Sequence, residues 1–350
     1  MKKRWILLVG IFITIALFIV TTPAMAAKYT IKIVHNANMA DEDYDGAMVF
    51  KDFVESHSNG QIMVEIYPGT QLCGNARECM ESIQAGILEV YITTIGGFSN
   101  LYPEAQVLDL PYMFRDDRTA ECVFDGPYVE ELRRDVLKKL KNVRLMVIGN
   151  TGGWRNFATV KKQIRTPDDV KGQKLRTINS DIQIEMVKLL GGNPTGIAWA
   201  EVYTSLATGV VEGSKNGITD IVGMKFHEHI KYMTLDGHAY MAALWMMNDN
   251  LFQSLPLDLR KVVVDGFINL RQVVRAYPKR RQISAYEEFK KSGGTIYVPT
   301  AAEKKMFQDA VAPMRKWFTD KYGTKALDQL NDHIKACERQ IDAAYAIDTK

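Results

Sequence analysis

The chain has 350 residues, 44 of them Lys or Arg and 41 Asp or Glu, for a formal charge of +3. No Lys/Arg block or aromatic-basic interleaving offers the electrostatic footprint that a phosphate backbone requires, which excludes nucleic acid as a partner. Three of the positive charges, Lys2, Lys3 and Arg4, fall in the first 26 residues, which hold no acidic residue, so the rest of the chain is formally neutral.

Those first 26 residues read as a secretory signal. Lys2-Lys3-Arg4 is followed by an apolar run from Trp5 to Val20 and by Ala24-Met25-Ala26, a small-x-small cleavage site. The apolar run is 16 residues long, short of the ~20 that a spanning helix needs, so cleavage is favoured over a retained anchor. No later run reaches spanning length, and export to the periplasm or the medium is expected. The remaining length exceeds what one hydrophobic core usually holds, which predicts two domains.

Tyr29 to Asn36 alternates as a strand, Asp41 to Ser56 carries apolar residues at helical spacing, Gln61 to Tyr67 is a second strand, Asn75 to Ala85 a helix and Leu88 to Thr94 a third strand. This alternation predicts an α/β fold with a largely parallel sheet. Gly96 to Phe114 is irregular, with Pro103 and Pro111 against regular helix. Helices are expected at about Arg118 to Phe124 and Tyr128 to Lys139, then a strand from Val143 to Ile148 that stops at Gly149-Asn150-Thr151-Gly152-Gly153, a plausible crossing between domains.

A second α/β unit is expected from Trp154 to about His238. Thr166-Pro167-Asp168-Asp169 supplies an N-cap, a proline at the first helical position and first-turn acids, and Gly209 reads as a helix end. Ala239 to Met247 reads as a buried strand. Leu257 to Lys291 is helical in pattern, with Leu259, Val262, Val263, Phe267, Leu270 and Val274 as its apolar face, and Pro278 is expected to kink it rather than end it. Such a helix would be about 50 Å long, enough to brace two lobes. Thr300-Ala-Ala-Glu303 is a capping box opening two C-terminal helices that end near Tyr345.

An oxidising compartment allows Cys73, Cys79, Cys122 and Cys337 to pair. Cys73 with Cys79 is the favoured pair, leaving Cys122 with Cys337 or both free. The spacing lacks the C-x-x-C pairs of a zinc site, and His227 and His229 at i and i+2 point to different helix faces, so neither a metal nor a cofactor is expected. No G-x-S-x-G, H-E-x-x-H or P-loop is present. The stretch Gly152 to Asn216 carries the candidate chemistry instead. Arg155 and Arg176 stand at the ends of short strands, where open α/β sheets place their ligands. A guanidinium matches both oxygens of a carboxylate and stays charged, so an organic anion is the expected ligand.

Two further runs carry a resemblance. Glu201-Val-Tyr203-Thr-Ser-Leu-Ala-Thr-Gly209-Val-Val-Glu212-Gly213 and Thr166-Pro-Asp-Asp-Val-Lys-Gly172-Gln-Lys-Leu-Arg176 resemble signatures of the DctP-type substrate-binding proteins of tripartite ATP-independent periplasmic (TRAP) transporters. The likeness extends through Tyr67 to Leu72 and Leu101 to Phe114. It implies a two-lobed periplasmic-binding-protein fold with mixed sheets, lobe one at about 27–151 plus 240–278 and lobe two at 152–239 plus 279–350, hinged near Gly152 and His238. It implies that Arg176 clamps the carboxylate, that Arg155 is the second cleft arginine, and that Asn216 and Trp199 line the pocket, with Asn36 and Thr94 contributing from lobe one. Asn179 and His238 are weaker assignments. Glu212 stands where the family has Asp, and Trp154 and Trp245 are additional aromatics; if either joined Trp199 and His35 at the cleft, the ligand would carry an apolar or ring-bearing tail. The expected protein is a monomeric receptor for a small carboxylate that serves TRAP membrane subunits, not an enzyme. The alternatives are a receptor of an ATP-driven importer and a periplasmic enzyme with an unrecognised site.

Overall fold

A computed structural model describes residues 27–348; the signal segment lies outside them. Nine strands form one mixed sheet: β1 Tyr29–His35, β2 Ile62–Pro68, β3 Val90–Thr94, β4 Val143–Thr159, β5 Lys174–Thr177, β6 Asn193–Gly196, β7 Gly213–Asn216, β8 Tyr232–Asn248 and β9 Thr295–Tyr297. Their order is β2-β1-β3-β8-β4-β7-β5-β6, with β9 on the far half of β8. The expected parallel pairing holds within each half, β1 with β2 and β3, and β5 with β6 and β7. The joint between the halves is antiparallel, through β3/β8, β4/β8 and β4/β7.

That joint corrects the expected strand ends. Val143–Ile148 and Ala239–Met247 are each only half of a 17-residue strand, about 55 Å long at the usual rise, which is enough to thread both lobes. The Gly149–Gly153 cluster does not stop β4. It is absorbed as an irregularity between Asn150 and Trp154, where Gly152 and Gly153 take φ of 75° and 85°. Asn150 closes the bulge with its own side chain, donating to the Gly153 carbonyl at 2.9 Å and accepting from the Gly153 N–H at 2.8 Å. A bulge re-aims the side chains beyond it, and Arg155 is the second residue beyond.

The helix Leu257–Lys291 runs unbroken through Pro278. Before the proline, Leu259, Val263, Phe267, Leu270 and Val274 pack with Ile31, Ile33, Phe50 and Trp245 in the core of one lobe. After it, Ala285 and Phe289 pack with Val202, Leu206, Phe226 and Met233 in the core of the other. The helix crosses the long strands at Gly149, where a Cβ would lie 2.3 Å from Val274; only glycine lets the two backbones approach this closely. One element is thus buried in both lobes.

Three helices, not two, close the chain: Ala301–Val311, Pro313–Tyr322 and Lys325–Asp348. Pro313 opens the second helix at its first position, and Gly323 with φ 79° ends it. The Thr300/Glu303 capping box forms as expected. Both disulfides form, Cys73–Cys79 and Cys122–Cys337. The second closes a sequence separation of 215 and ties the last helix to the helix Asp117–Asp125.

Candidate functional site

A cavity of about 340 Å³ opens where the lobes meet. Its basic wall comes from three adjacent strands. Arg155 on β4 stands next to Asn156, the partner of Asn216 on β7, and Leu175 of β5 pairs with Gly213 of β7, so Arg155, Arg176 and Asn216 arrive at one edge of the sheet. Both arginines are only 3% exposed. Arg176 donates through Nε and Nη2 to the Ile197 carbonyl at 3.1 and 2.9 Å, and Arg155 donates through Nη1 to the Lys215 carbonyl at 3.1 Å. These carbonyls fix one flank of each guanidinium. Arg155 Nε finds no partner among the described residues.

The pair is short of negative charge. Burial, and then the charge of Arg155, lower the Arg176 pKa to about 9, opposed by Asp220. Arg176 stays cationic at neutral pH, and two buried like charges are held together at a cost that an anion between them would offset. The Trp199 ring centroid lies 5.2 Å from Arg176 Cζ, and the indole packs edge-on against Phe226 at 5.1 Å. The indole therefore shields the guanidinium and contributes a cation–π attraction.

The other lobe supplies His35, Asn36 and Thr94 at the ends of β1 and β3. His35 is 1% exposed, its ring nitrogens have no partner among the described residues, and burial lowers its pKa to about 4, so it is neutral at physiological pH. Asn36 is oriented by Tyr91, whose hydroxyl donates to Asn36 Oδ1 at 2.6 Å. Asn179, just after β5, also lines the cavity.

Of the ten residues expected at the site, the structure gathers Arg155, Arg176, Asn216, Trp199, His35, Asn36, Thr94 and Asn179 around the cavity; Trp154 and His238 lie outside it. The reason is strand alternation, which sends successive side chains to opposite faces. In the β4/β8 register Arg155 pairs with Ala239, and Trp154 pairs with Tyr240 on the face turned away. Trp154 donates to Asp117 at 2.7 Å and packs edge-on against Tyr240. His238, on that same averted face, is fully buried, with Nδ1 2.8 Å from Asp236 and its ring against Phe157. Trp245 is core, packed with the long helix. With both extra tryptophans elsewhere, the ring-bearing ligand tail loses its support.

Sequence reasoning missed Asp41, Asp43, Thr151 and Asp220, and Asn75 and Arg77 of the small disulfide loop, all of which line the cavity. Asp41 and Asn75 had a visible signal, since each precedes a helical run and caps it, accepting from the Asp43 and Glu78 N–H groups at 2.9 and 3.1 Å.

Two lobes that share a pair of long strands and enclose a cavity with buried cations define a binding protein of the two-lobed periplasmic type. The chain belongs to the bacterial extracellular solute-binding protein family 7 (DctP), whose profile matches residues 33–321. A solute-binding protein of Verminephrobacter eiseniae is 30% identical over 308 residues, covering 87% of this chain and 89% of its own. The 2,3-diketo-L-gulonate-binding periplasmic protein of Escherichia coli is 27% identical, covering 85% and 90%. Among solved structures, a TRAP periplasmic solute-binding protein of Desulfovibrio salexigens with bound orotic acid superposes with a TM-score of 0.83 at 26% identity, covering 89% of this chain and all of the other. Among the described residues no helix is long and apolar enough to cross a membrane.

Proposed function

We propose that this protein is a monomeric periplasmic receptor that closes on a small organic acid and presents it to the membrane subunits of a TRAP transporter. The observation that carries the reading is the buried pair Arg155 and Arg176, each with one flank fixed by a carbonyl and both lining one cavity. Such donors bind a carboxylate without reorganising, and they disfavour neutral analogues, which leave buried charge unpaired. The acids in the names of two similar proteins, 2,3-diketo-L-gulonate and orotic acid, support the same class of ligand.

In this reading lobe one is 27–151 with 240–278 and lobe two is 152–239 with 279–350, and the glycine bulge on β4, together with Gly237–His238 of β8 at the next irregularity of the pair, absorbs the hinge motion. Gly152, Gly153 and Gly237 all have positive φ, which gives these segments backbone freedom where the long strands pass between lobes. A thermal-shift screen tests the function, because a ligand raises the melting temperature by mass action. Carboxylates are expected to stabilise the protein and neutral sugars to leave it unchanged. Stabilisation by sugars and by no acid contradicts the reading.

A further inference from the structure

The cavity's second wall carries the opposite charge. Asp41 and Asp43, at the start of the helix Glu42–His57, line it from one lobe, and Asp220 of the helix Ile218–Gly223 lines it from the other. Glu42 stands behind them, and carboxylate oxygens of Asp41, Glu42 and Asp220 lie within 4.8 Å of one another. Burial raises the Asp220 pKa, but the hydrogen bond it accepts from Asn216 Nδ2 at 2.9 Å and the charges of both arginines oppose that rise. Asp41 accepts from the Asp43 N–H at 2.9 Å and Thr151 opposes the rise at Asp43, but no cation is among the main influences on either. After burial, the strongest charges acting on them belong to neighbouring carboxylates, and these hold their protons tightly. Asp43 is 6% exposed, and its Oδ1 has no hydrogen-bond partner among the described residues.

A buried acceptor left unfilled is costly, and a carboxylate more so than a neutral group. At a pH where these groups ionise, a second negative charge placed here would add to a crowded cluster of carboxylates. The geometry points to a ligand with two unlike ends: a carboxylate held by Arg155 and Arg176, and hydrogen-bond donors, hydroxyl or ammonium, offered to Asp41, Asp43 and Asp220. This rests on the organic-acid reading and narrows it, because an ionised acidic wall rejects dicarboxylates.

Four six-carbon acids separate the possibilities by calorimetry on the full mature protein at mildly alkaline pH with chelator present: hexanoate, adipate, D-gluconate and 6-aminohexanoate. Gluconate, 6-aminohexanoate or both are expected to bind at least about tenfold more tightly than hexanoate, because a site built to pair polar groups discriminates against analogues lacking them. Adipate is expected to bind most weakly. Gluconate as the tighter of the two identifies hydroxyls as the donors, and 6-aminohexanoate as the tighter identifies an ammonium. Adipate or hexanoate binding as tightly as the better donor-bearing acid overturns the inference and leaves the organic-acid reading intact, whereas failure of all four at millimolar concentration overturns both. Adipate that binds once calcium replaces the chelator also overturns it, since a cation then fills the acidic wall. Asp43→Asn keeps the shape and removes the charge. It is expected to narrow the gap between gluconate and adipate, and an unchanged gap removes Asp43 from the discrimination.

Discussion

The two walls of the cleft are built on different principles. The arginine wall belongs to three neighbouring strands of one half-sheet, and its side chains are pinned by backbone carbonyls of that same half. The acidic wall is assembled from two helix starts in different lobes, Asp41 to Asp43 and Asp220, and exists only where the lobes meet. The first is a clamp whose arginines are held by carbonyls of their own half-sheet. The second changes its solvation when the lobes part, so its protons are linked to closure. Lobe contact is maintained nearby by Asn38, which donates to the Gly223 carbonyl at 3.0 Å, and by the Arg281–Asp45 ion pair.

Arg155→Ala breaks the comparison most strongly. Removing one partner of a buried charge pair costs about 2 to 5 kcal/mol, so ligand affinity measured by calorimetry is expected to fall by about 30-fold to several thousandfold at every pH. A loss confined to high or low pH would tie Arg155 to the acidic wall instead.

The acidic wall predicts a pH dependence of intermediate size. Burial first, and then the charge of Asp220, raise the Glu42 pKa from 4.5 to about 7, opposed by Arg281; Asp41 and Asp43 are raised in the same direction. The closed form therefore holds more protons than an open, solvated one between those values. Closure weakens as pH rises through that window, by up to about tenfold per pH unit for each proton taken up. Glu42→Gln is expected to flatten the slope measured by calorimetry between pH 4.5 and 7. A slope unaffected by that change would place the linked proton elsewhere.

The smallest effect on binding is expected far from both walls. Replacing Cys122 and Cys337 by Ser releases a 215-residue tether and should lower unfolding stability by about 2 to 5 kcal/mol, read as a lower denaturant midpoint. Ligand affinity is expected to stay within about twofold, since neither cysteine lines the cavity. A large loss of affinity would mean that the last helix positions the cleft.

The same contrast explains what could be read from the chain. Arg176 was legible because it ends a strand inside a recognisable run with its own cap, Thr166 to Asp169, and the capping box forms. The acidic wall was not, for two reasons. Acids in a first helical turn are ordinarily a solvated response to the helix dipole, and Asp220 lies far from Asp41 to Asp43 in sequence. The glycine cluster at 149–153 has the composition of a loop, and only its pairing with β8 makes it a bulge within a long strand. The resemblance suggests His238, and Trp154 enters only as an additional aromatic; neither signal carries the strand register. The alternation that turns them away depends on the register beyond that bulge.

The account depends on a rigid two-pronged clamp, and Arg176→Lys tests it most directly because the charge remains while the planar geometry is lost. Calorimetry with the tightest-binding acid from the carboxylate screen is expected to show an affinity loss of about a hundredfold or more, with the melting temperature of the empty protein unchanged. Affinity within about twofold of the parent would contradict the account and remove Arg176 from the site.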